Sequence, residues 1–472
     1  MAYSTTSEIM DMTNVTPGYF AQILFSKGFT SQFSRSYREY DNILMSLKQD
    51  QATTERSYQY LLQTAMGVNA IQYQNQGQTD VAFPAGDPAE IQEVTAKMKK
   101  LQVTIELDRN VWERLKKAKF KYVDNPLAFE IMNKMDAAKR VQARSLFGDG
   151  SGCIGIISSA AASGGKLEVT LSTANTSIGG GNTNWFHKNE LVAPCEADGT
   201  PITLTGHATG VKWKVERGNR KNKKVVFTVL TSAGLPVTVT DATLSAAAGR
   251  LYPVTVLTDS FEGPDVSSPL SIDWGVITPV WAGLESLTAN DGRTVFGVVY
   301  SGELGGSVFD HNGELFDVSA IEESMNETEQ NVGPGKYKYN NIVMPYNAYS
   351  SLIEGKEADR RFNSVEDSKR GGRKFIYQYS DQALDCIKSY FCSLNRIFSI
   401  PAPAQGEMGE TGFALEYRGT DFENVEADGV KTFMKVSNGK YVNTVQSFLE
   451  AYTVMIAKQP AAITRIENFG MV

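Results

Sequence analysis

The chain has 472 residues, 42% of them hydrophobic and 21% charged, with a formal net charge of −7. Such a length supports two to four domains around a sizeable core, and the composition is that of an ordinary soluble protein. The negative balance excludes a general polyanion binder, and no apolar run reaches the length needed to span a bilayer.

The opening "MAYSTTSEIM" has no basic region followed by an apolar stretch, so no secretory signal is expected. The sequons at Asn14 and Asn326 are accordingly read as chance. The first sixty or so residues are polar and rich in Ser, Thr, Gln and Tyr, with the residues of a short helix in "YREYDNILMSLKQ". They lack a core of their own and read as an arm that packs on something else. A Gln/Asn-rich run from Gly67 to Asp80 and the turn "FPAGDP" follow. Then "KKLQVTIEL" alternates Leu101, Val103 and Ile105, which predicts a strand. Two extended runs around a long polar tip describe a protruding hairpin.

Two helices come next. Asp108 or Asn110 caps "VWERLKKAKFKY"; Asn125 caps the second, with Pro126 at its first position. Leu127, Ile131, Met135, Ala138 and Val141 share one arc of that helix. It runs to Phe147, and Gly148 is expected to end it in left-handed backbone. From Lys166 to about Val256 the texture changes to short β-rich runs: "KLEVTLS", "GVKWKVERG", "KKVVFTVLT", "LPVTVTDATL" and "YPVTVLT". These predict a small β-barrel. Its basic stretch "RGNRKNKK" is either a solvated hairpin tip or a polyanion contact. A mixed α/β region follows. "FGVVYSG" is a strand, "SAIEESMNETEQN" a helix, and "NNIVMPYNAYSSLIEGKEADRRF" a strand, a proline break and a helix. "RKFIYQYS", "DCIKSYFCSL" and "RIFSIPA" are further strands, and the tail from Val445 alternates into extended structure.

No stretch carries convincing chemistry, and no catalytic, cofactor-binding or metal-ligating residue or cofactor is assigned. Gly150, Gly152 and Gly155 spell G-x-G-x-x-G, but a dinucleotide turn needs a strand before it and a helix after it. Here a helix precedes it and a strand follows, so the glycines end the helix and turn the chain. Ser151 has no strand leading into it and is not a nucleophile elbow. "FDHNGELFD" gathers Asp310, His311, Asn312, Glu314 and Asp317, but its glycine is misplaced for a calcium loop and it reads as a polar turn. His187, His207 and His311 never stand at metal-ligand spacing. Cys153, Cys195, Cys386 and Cys392 form no C-x-x-C pair and read as reduced thiols of a cytoplasmically made chain. Cys386 and Cys392 are expected on strands, as core or interface thiols. Lys116, Lys117, Lys119 and Lys121 beside Phe120 and Tyr122 read as a solvated helix face, with nucleic-acid contact as the alternative.

The order of these parts resembles the major capsid protein family of tailed bacteriophages. The resemblance covers about three quarters of the chain and rests on "GDGSG" at 148–152 after a long helix, on "LQVTIELDRNVWERL", and on "IVMPYNAYSSLI". It implies an α+β fold with an N-terminal arm (1–66), an extended loop (67–104), a peripheral domain with a spine helix (105–155) and an axial domain (270–445). Residues 446–472 would return to the peripheral domain. The departure is the β-rich stretch at 160–265, expected to be a small barrel inserted on the outer face. The resemblance implies a structural protein, not an enzyme, that assembles with itself into pentamers and hexamers of an icosahedral shell around double-stranded DNA. Scaffolding, portal and decoration proteins would be partners, DNA contact would be weak, and no membrane would be involved. The location would be the virion capsid, assembled in the host cytoplasm. Pro84, Gly86 and Pro88 mark the tip of the loop, which is expected to lie over a neighbouring subunit; no partner can be named for covalent cross-links from Lys97, Lys99 or Lys100.

Elementary physics favours the same picture. Ordering an arm and a hairpin with little local core costs backbone entropy, which burial against neighbours in a shell would offset. Two other classes stay open: a host-encoded compartment shell enclosing a cargo enzyme, and an enzyme whose site the sequence does not reveal.

Overall fold

The computed structural model describes residues 48–50, 57–65, 90–108, 134, 137–138, 140–174, 178–207, 211–219, 221–231, 234–246, 249–258, 260–276, 278–332, 337–355, 376–379, 382–403, 415–419, 423–424, 433–437 and 440–470. The arm up to Leu47, the loop tip at 66–89 and the lysine-rich helix around Lys116–Lys121 lie outside these residues. It is an α+β structure of many strands and few helices.

In chain order, β1 (Lys48–Asp50), β2 (Ser57–Ala65), β3 (Glu90–Lys97) and β4 (Lys99–Asp108) precede helical residues 140–146 and the "GDGSG" turn. Then come β5 (Gly155–Ser163), β6 (Lys166–Leu171), β7 (Leu191–Cys195), β8 (Lys212–Asn219), β9 (Lys224–Leu230), β10 (Pro236–Val237) and β11 (Arg250–Pro253). Three short strands follow: β12 (Asp273–Trp274), β13 (Thr294–Val295) and β14 (Val298–Val299). The mixed region holds β15 (Ser307–Asp310), helix Val318–Val332, β16 (Tyr337–Met344), helix Tyr346–Gly355, β17 (Ile376–Tyr379), β18 (Gln382–Lys388) and β19 (Arg396–Pro403). The chain ends through β20 (Leu415–Gly419), β21 (Glu423–Asn424), β22 (Phe433–Ser437), β23 (Lys440–Ala457) and β24 (Thr464–Glu467).

The strand read in "KKLQVTIEL" is β4, but its partner is not the hairpin. It pairs antiparallel with β23 from Lys99↔Thr453 to Asp108↔Thr444. The hairpin is built from β2 and β3, in register from Ser57↔Lys97 to Ala65↔Glu90. Thus 57–65, placed in the arm by sequence, forms one side of the hairpin. Alternation identifies a strand but not its partner, which here lies hundreds of residues away. β23 also receives β20, β21 and β22, so one 18-residue strand organises the whole sheet.

The β-rich stretch pairs in the order β10-β9-β6-β5-β11-β7-β8, and β8 pairs again with β9. The ring therefore closes, with β10 as an appendage. It begins at Gly155, directly after the glycine turn, rather than at residue 160. Alternation drives the closure: Trp213 and Val215 of β8, and Val225, Phe227 and Val229 of β9, are buried while the residues between them face outward. Its core belongs to the same packed cluster as Leu146, Phe147 and Phe398.

The mixed sheet runs β15-β24-β19-β16-β18-β17. Ile342 and Met344 of β16, Ile397 of β19 and Ile466 of β24 pack beneath the helices with Ile321, Met325 and Leu352. Val343, Phe398, Ile400 and Ile463 enter the main core on the opposite face. Helix Val318–Val332 starts at Asp317, whose carboxylate accepts from the Ala320 N–H at 3.1 Å. Its buried side is spaced as a helical face demands: Ala320, Ile321, Ser324, Met325, Thr328 and Val332. Residues 446–472 do not all return to the helix. β24 joins the mixed sheet, held by β15 on one side and β19 on the other, because its residues are buried on both faces. "FGVVYSG" is likewise not one strand. Phe296 (φ 52°) and Gly297 (φ 81°) make a tight turn between β13 and β14.

The helix end meets the body at one point of very close approach. A Cβ on Gly283 would lie 2.4 Å from the carbonyl oxygens of Ser145 and Gly148 and 2.8 Å from that of Leu146. Gly283→Ala is therefore expected to cost more than about 4 kcal/mol, beyond the ordinary range for a point substitution. Gly313→Ala, left-handed at φ 77° but with open space around it, should cost only about 1–2 kcal/mol. Thermal unfolding of the two variants checks the contrast.

Candidate functional site

The sequence-level candidates for chemistry resolve into structural roles. Asp149 is buried, and its carboxylate accepts from the Ser151 N–H at 2.9 Å and from the Ser151 hydroxyl at 2.6 Å. The Ser151 oxygen in turn accepts from the Cys153 N–H at 3.1 Å. Burial pushes the Asp149 carboxyl up, opposed by the Ser151 hydrogen bond and by Arg250. Gly148 closes the helix with a hydrogen bond to the Ser145 carbonyl at 3.1 Å. It is not left-handed. That backbone belongs to Gly150 (φ 92°) and Gly152 (φ 80°), because the last helical turn is already tightened before the chain reverses. The turn is fixed to the body by the Ser286 hydroxyl, which donates to the Asp149 carbonyl at 2.6 Å.

"FDHNGELFD" is a turn at the end of β15. Asp310 accepts from the Asn312 N–H at 2.8 Å and from Asn468 at 2.7 Å, and Asp317 caps the following helix. Among the described residues no group of three His, Cys, Asp or Glu could hold a metal ion. All four cysteines are buried and none forms a disulfide. Cys392 sits in the turn after β18 rather than on a strand.

Charged groups missed by the sequence reading gather where the mixed sheet meets the helix end. Glu285 lies 3.2 Å from Arg396 and 3.8 Å from Arg465, and both arginines reach Glu467, at 3.5 and 3.3 Å. Burial pushes the Glu285 carboxyl up, but the two guanidinium groups outweigh it and hold it below the usual carboxylate value. Such a buried network chiefly orients its partners. A second joint ties the strand ring to the mixed region. Trp185 Nε1 donates to the Phe391 carbonyl at 2.8 Å, Asn182 to the Cys392 carbonyl at 2.9 Å, and Asn395 to the Ala174 carbonyl at 3.0 Å. Arg144 on the helix donates to the Trp185 carbonyl at 2.7 Å and pairs with Glu190 at 2.9 Å. The His187 ring meets the Phe391 ring edge-on at 6.2 Å.

What remains is a surface. The hairpin β2–β3 turns Tyr58, Tyr60, Leu62, Val94 and Ala96 toward the body. Gln92 anchors it to the Gly297 carbonyl at 3.2 Å. The other face presents Leu61, 72% exposed, and Ile91, 64% exposed, which the register sets diagonally across the two strands. Among the described strands, β2 and β3 pair only with each other. A two-stranded hairpin with two exposed aliphatic side chains on one face suits contact with another chain.

No protein-family model and no curated protein matches the chain. Several solved structures are similar to it. A chain of the cyanophage A-1(L) capsid is 7% identical over 90% of this chain and 91% of its own, with a TM-score of 0.46. A chain of Mycobacterium phage Bobi is 6% identical over 90% of each, with a TM-score of 0.40. The encapsulin of Synechococcus elongatus PCC 7942 is 7% identical over 91% of this chain and 87% of its own, with a TM-score of 0.35. Similar chains also come from the satellite phage P4 procapsid, Mycobacterium phage Patience and Gordonia phage Cozz.

Two predictions follow from the joints and the thiols. Burial, then the Arg144 charge, lowers His187 to about 4 from an ordinary 6.5. The folded chain thus takes up this proton later than the unfolded chain. Its contribution to stability is full above pH 6.5 and declines as the pH falls toward about 4. His187→Gln should flatten the fall of the melting temperature in that window; the loss due to Glu285 sets in lower, through its depressed value. Burial also pushes the Cys153 thiol up to about 12 and the Cys195 thiol up to about 11. A thiol reagent at pH 8 should label none of the four cysteines in the native chain and all four after unfolding.

Proposed function

We propose that this chain is a structural shell protein whose copies assemble through the β2–β3 hairpin. The observation that carries the reading is that hairpin: among the described strands its two strands pair only with each other, and one face exposes Leu61 and Ile91. Burying each of these side chains against a neighbour would contribute about 1.5–3 kcal/mol, repeated at every contact of a lattice. In the finer form of the reading, the shell is the icosahedral capsid of a tailed phage. Pentamers and hexamers of one chain enclose double-stranded DNA, and the strand ring is a barrel inserted after the spine helix. Scaffolding, portal and decoration proteins are its partners, and the virion is its location. The continuous core and the hydrogen bonds at Trp185, Asn182 and Asn395 favour a barrel clamped to the body over a freely jointed bead.

Light scattering and electron microscopy of the purified protein test the reading. Capsomers or closed shells are expected; a chain that stays monomeric at all concentrations overturns it. Double-stranded DNA inside particles from infected cells separates a phage capsid from a compartment that holds a protein cargo. The variant Leu61→Glu with Ile91→Glu should keep the melting temperature of the isolated subunit, since both side chains are exposed, and should abolish shell closure. Normal shells from this variant would remove the hairpin face from the assembly.

A further inference from the structure

The strand ring carries charge of the opposite sign to the rest of the molecule. Residues 155–258 hold ten lysines and arginines against six aspartates and glutamates, in a chain whose net charge is −7. Part of that surplus lines a groove. Across the outer face of the β8–β9 ribbon runs an open depression of about 570 Å³, bounded by Lys188 and Asn189 on one wall and by Gly234 and Pro236 on the other. Lys214, Arg217 and Leu230 also line it. Register explains the placement. Lys214 stands opposite Thr228 and Lys212 opposite Leu230, all on outward positions, while Trp213 and Val229 point inward. The walls are turns in left-handed backbone, with Asn189 at φ 69° and Gly234 at φ 79°. Asn189 is tied to the ribbon by its N–H, which donates to the Val215 carbonyl at 2.8 Å.

The one carboxylate in the groove is already engaged. Glu216 pairs with Lys166 and accepts from the Thr228 hydroxyl, and these hydrogen bonds hold its carboxyl below the usual value. Lys188, Lys214 and Arg217 make no salt bridge within 4.0 Å among the described residues, although Arg217 also attracts the Glu216 carboxylate. Three cations thus share the groove with Leu230 on its floor and Pro236 on its wall, and Leu235, next in sequence to Pro236, is 65% exposed.

We propose that this groove docks an extended acidic peptide segment, with at least one aliphatic side chain, from a different protein. Charge complementarity sets the sign of the partner: cations on the ring would attract its carboxylates, while the net negative remainder of the chain would repel them elsewhere. The apolar floor sets the class. A sulfated polysaccharide or a nucleic acid would use the cations and leave Leu230, Pro236 and Leu235 idle. No aromatic ring lines the groove to stack a base. An alternating peptide uses both, placing carboxylates on the cations and an aliphatic side chain on the floor.

The test needs only the folded full-length chain, so its outcome is separate from that of shell assembly. A fluorescein-labelled peptide of alternating Glu and Leu is titrated with the purified protein and followed by anisotropy. Saturable binding that weakens with added salt is expected. Lys214→Glu with Arg217→Glu, and separately Lys188→Glu on the opposite wall, should each weaken it about tenfold or more. Lys221→Glu, at the hairpin tip outside the groove, should leave it unchanged, and Leu230→Gln should weaken the Glu/Leu peptide more than an all-Glu peptide. No saturable binding, equal loss with Lys221→Glu, or tighter groove-dependent binding of heparin or single-stranded DNA would overturn the proposal.

Discussion

The contact on which the rest of the molecule depends is the seating of a helix end on a single glycine. Helical residues 140–146 finish with carbonyl groups that have no partners within the helix. The carbonyls of Ser145 and Leu146 in the last turn, and of Gly148 just beyond it, crowd Gly283, where no side chain fits. From that point the chain reverses through Gly150 and Gly152 into β5, so the helix, the strand ring and the one-turn helix Leu284–Leu287, which bears Glu285, share one crossing. The Asp149 carbonyl, held by Ser286, keeps the three from separating. Glu285 then extends the connection to the mixed sheet through Arg396 and Arg465. A displacement of the helix end would disturb all three regions at once.

The joints differ in chemistry. At Glu285 charge meets charge out of water, which favours one arrangement of the partners more than it adds stability. Between the ring and the mixed region the contacts are hydrogen bonds from Trp185, Asn182 and Asn395 to backbone carbonyls. These set distance and angle without large burial of charge. At the hairpin the attachment is mainly apolar, with one hydrogen bond from Gln92 to the Gly297 carbonyl, and the other face carries the exposed Leu61 and Ile91.

Much of the architecture was legible because local signals happened to be sufficient. Pro345 separates β16 from helix Tyr346–Gly355, and alternation along Lys212–Val215 and Lys224–Leu230 marks strands of a ring. Where the signal was not local, the reading failed. β4 was recognised as a strand, but nothing in "KKLQVTIEL" points to Lys440–Ala457 as its partner. The turn at Phe296–Gly297 places a bulky residue at positive φ, which composition does not announce. Glu285 meets Arg396 across 111 residues and Arg465 across 180, so the buried charges never form a motif. The groove was missed for a related reason. The run "RGNRKNKK" concentrates charge along the chain, whereas Lys188, Lys214 and Arg217 are brought together only by the closure of the ring.

The ladder between β4 and β23 also has a mechanical meaning. Only Met98 separates the hairpin from β4, so tension from whatever grips the hairpin reaches β4 at Lys99. Antiparallel hydrogen bonds stand perpendicular to the strands. A pull along β4 therefore loads the residue pairs from Lys99↔Thr453 to Asp108↔Thr444 together, in shear, rather than peeling them one after another. β23 passes that load sideways to β20, β21 and β22. The hairpin is thus rooted in the geometry by which a sheet best resists being torn.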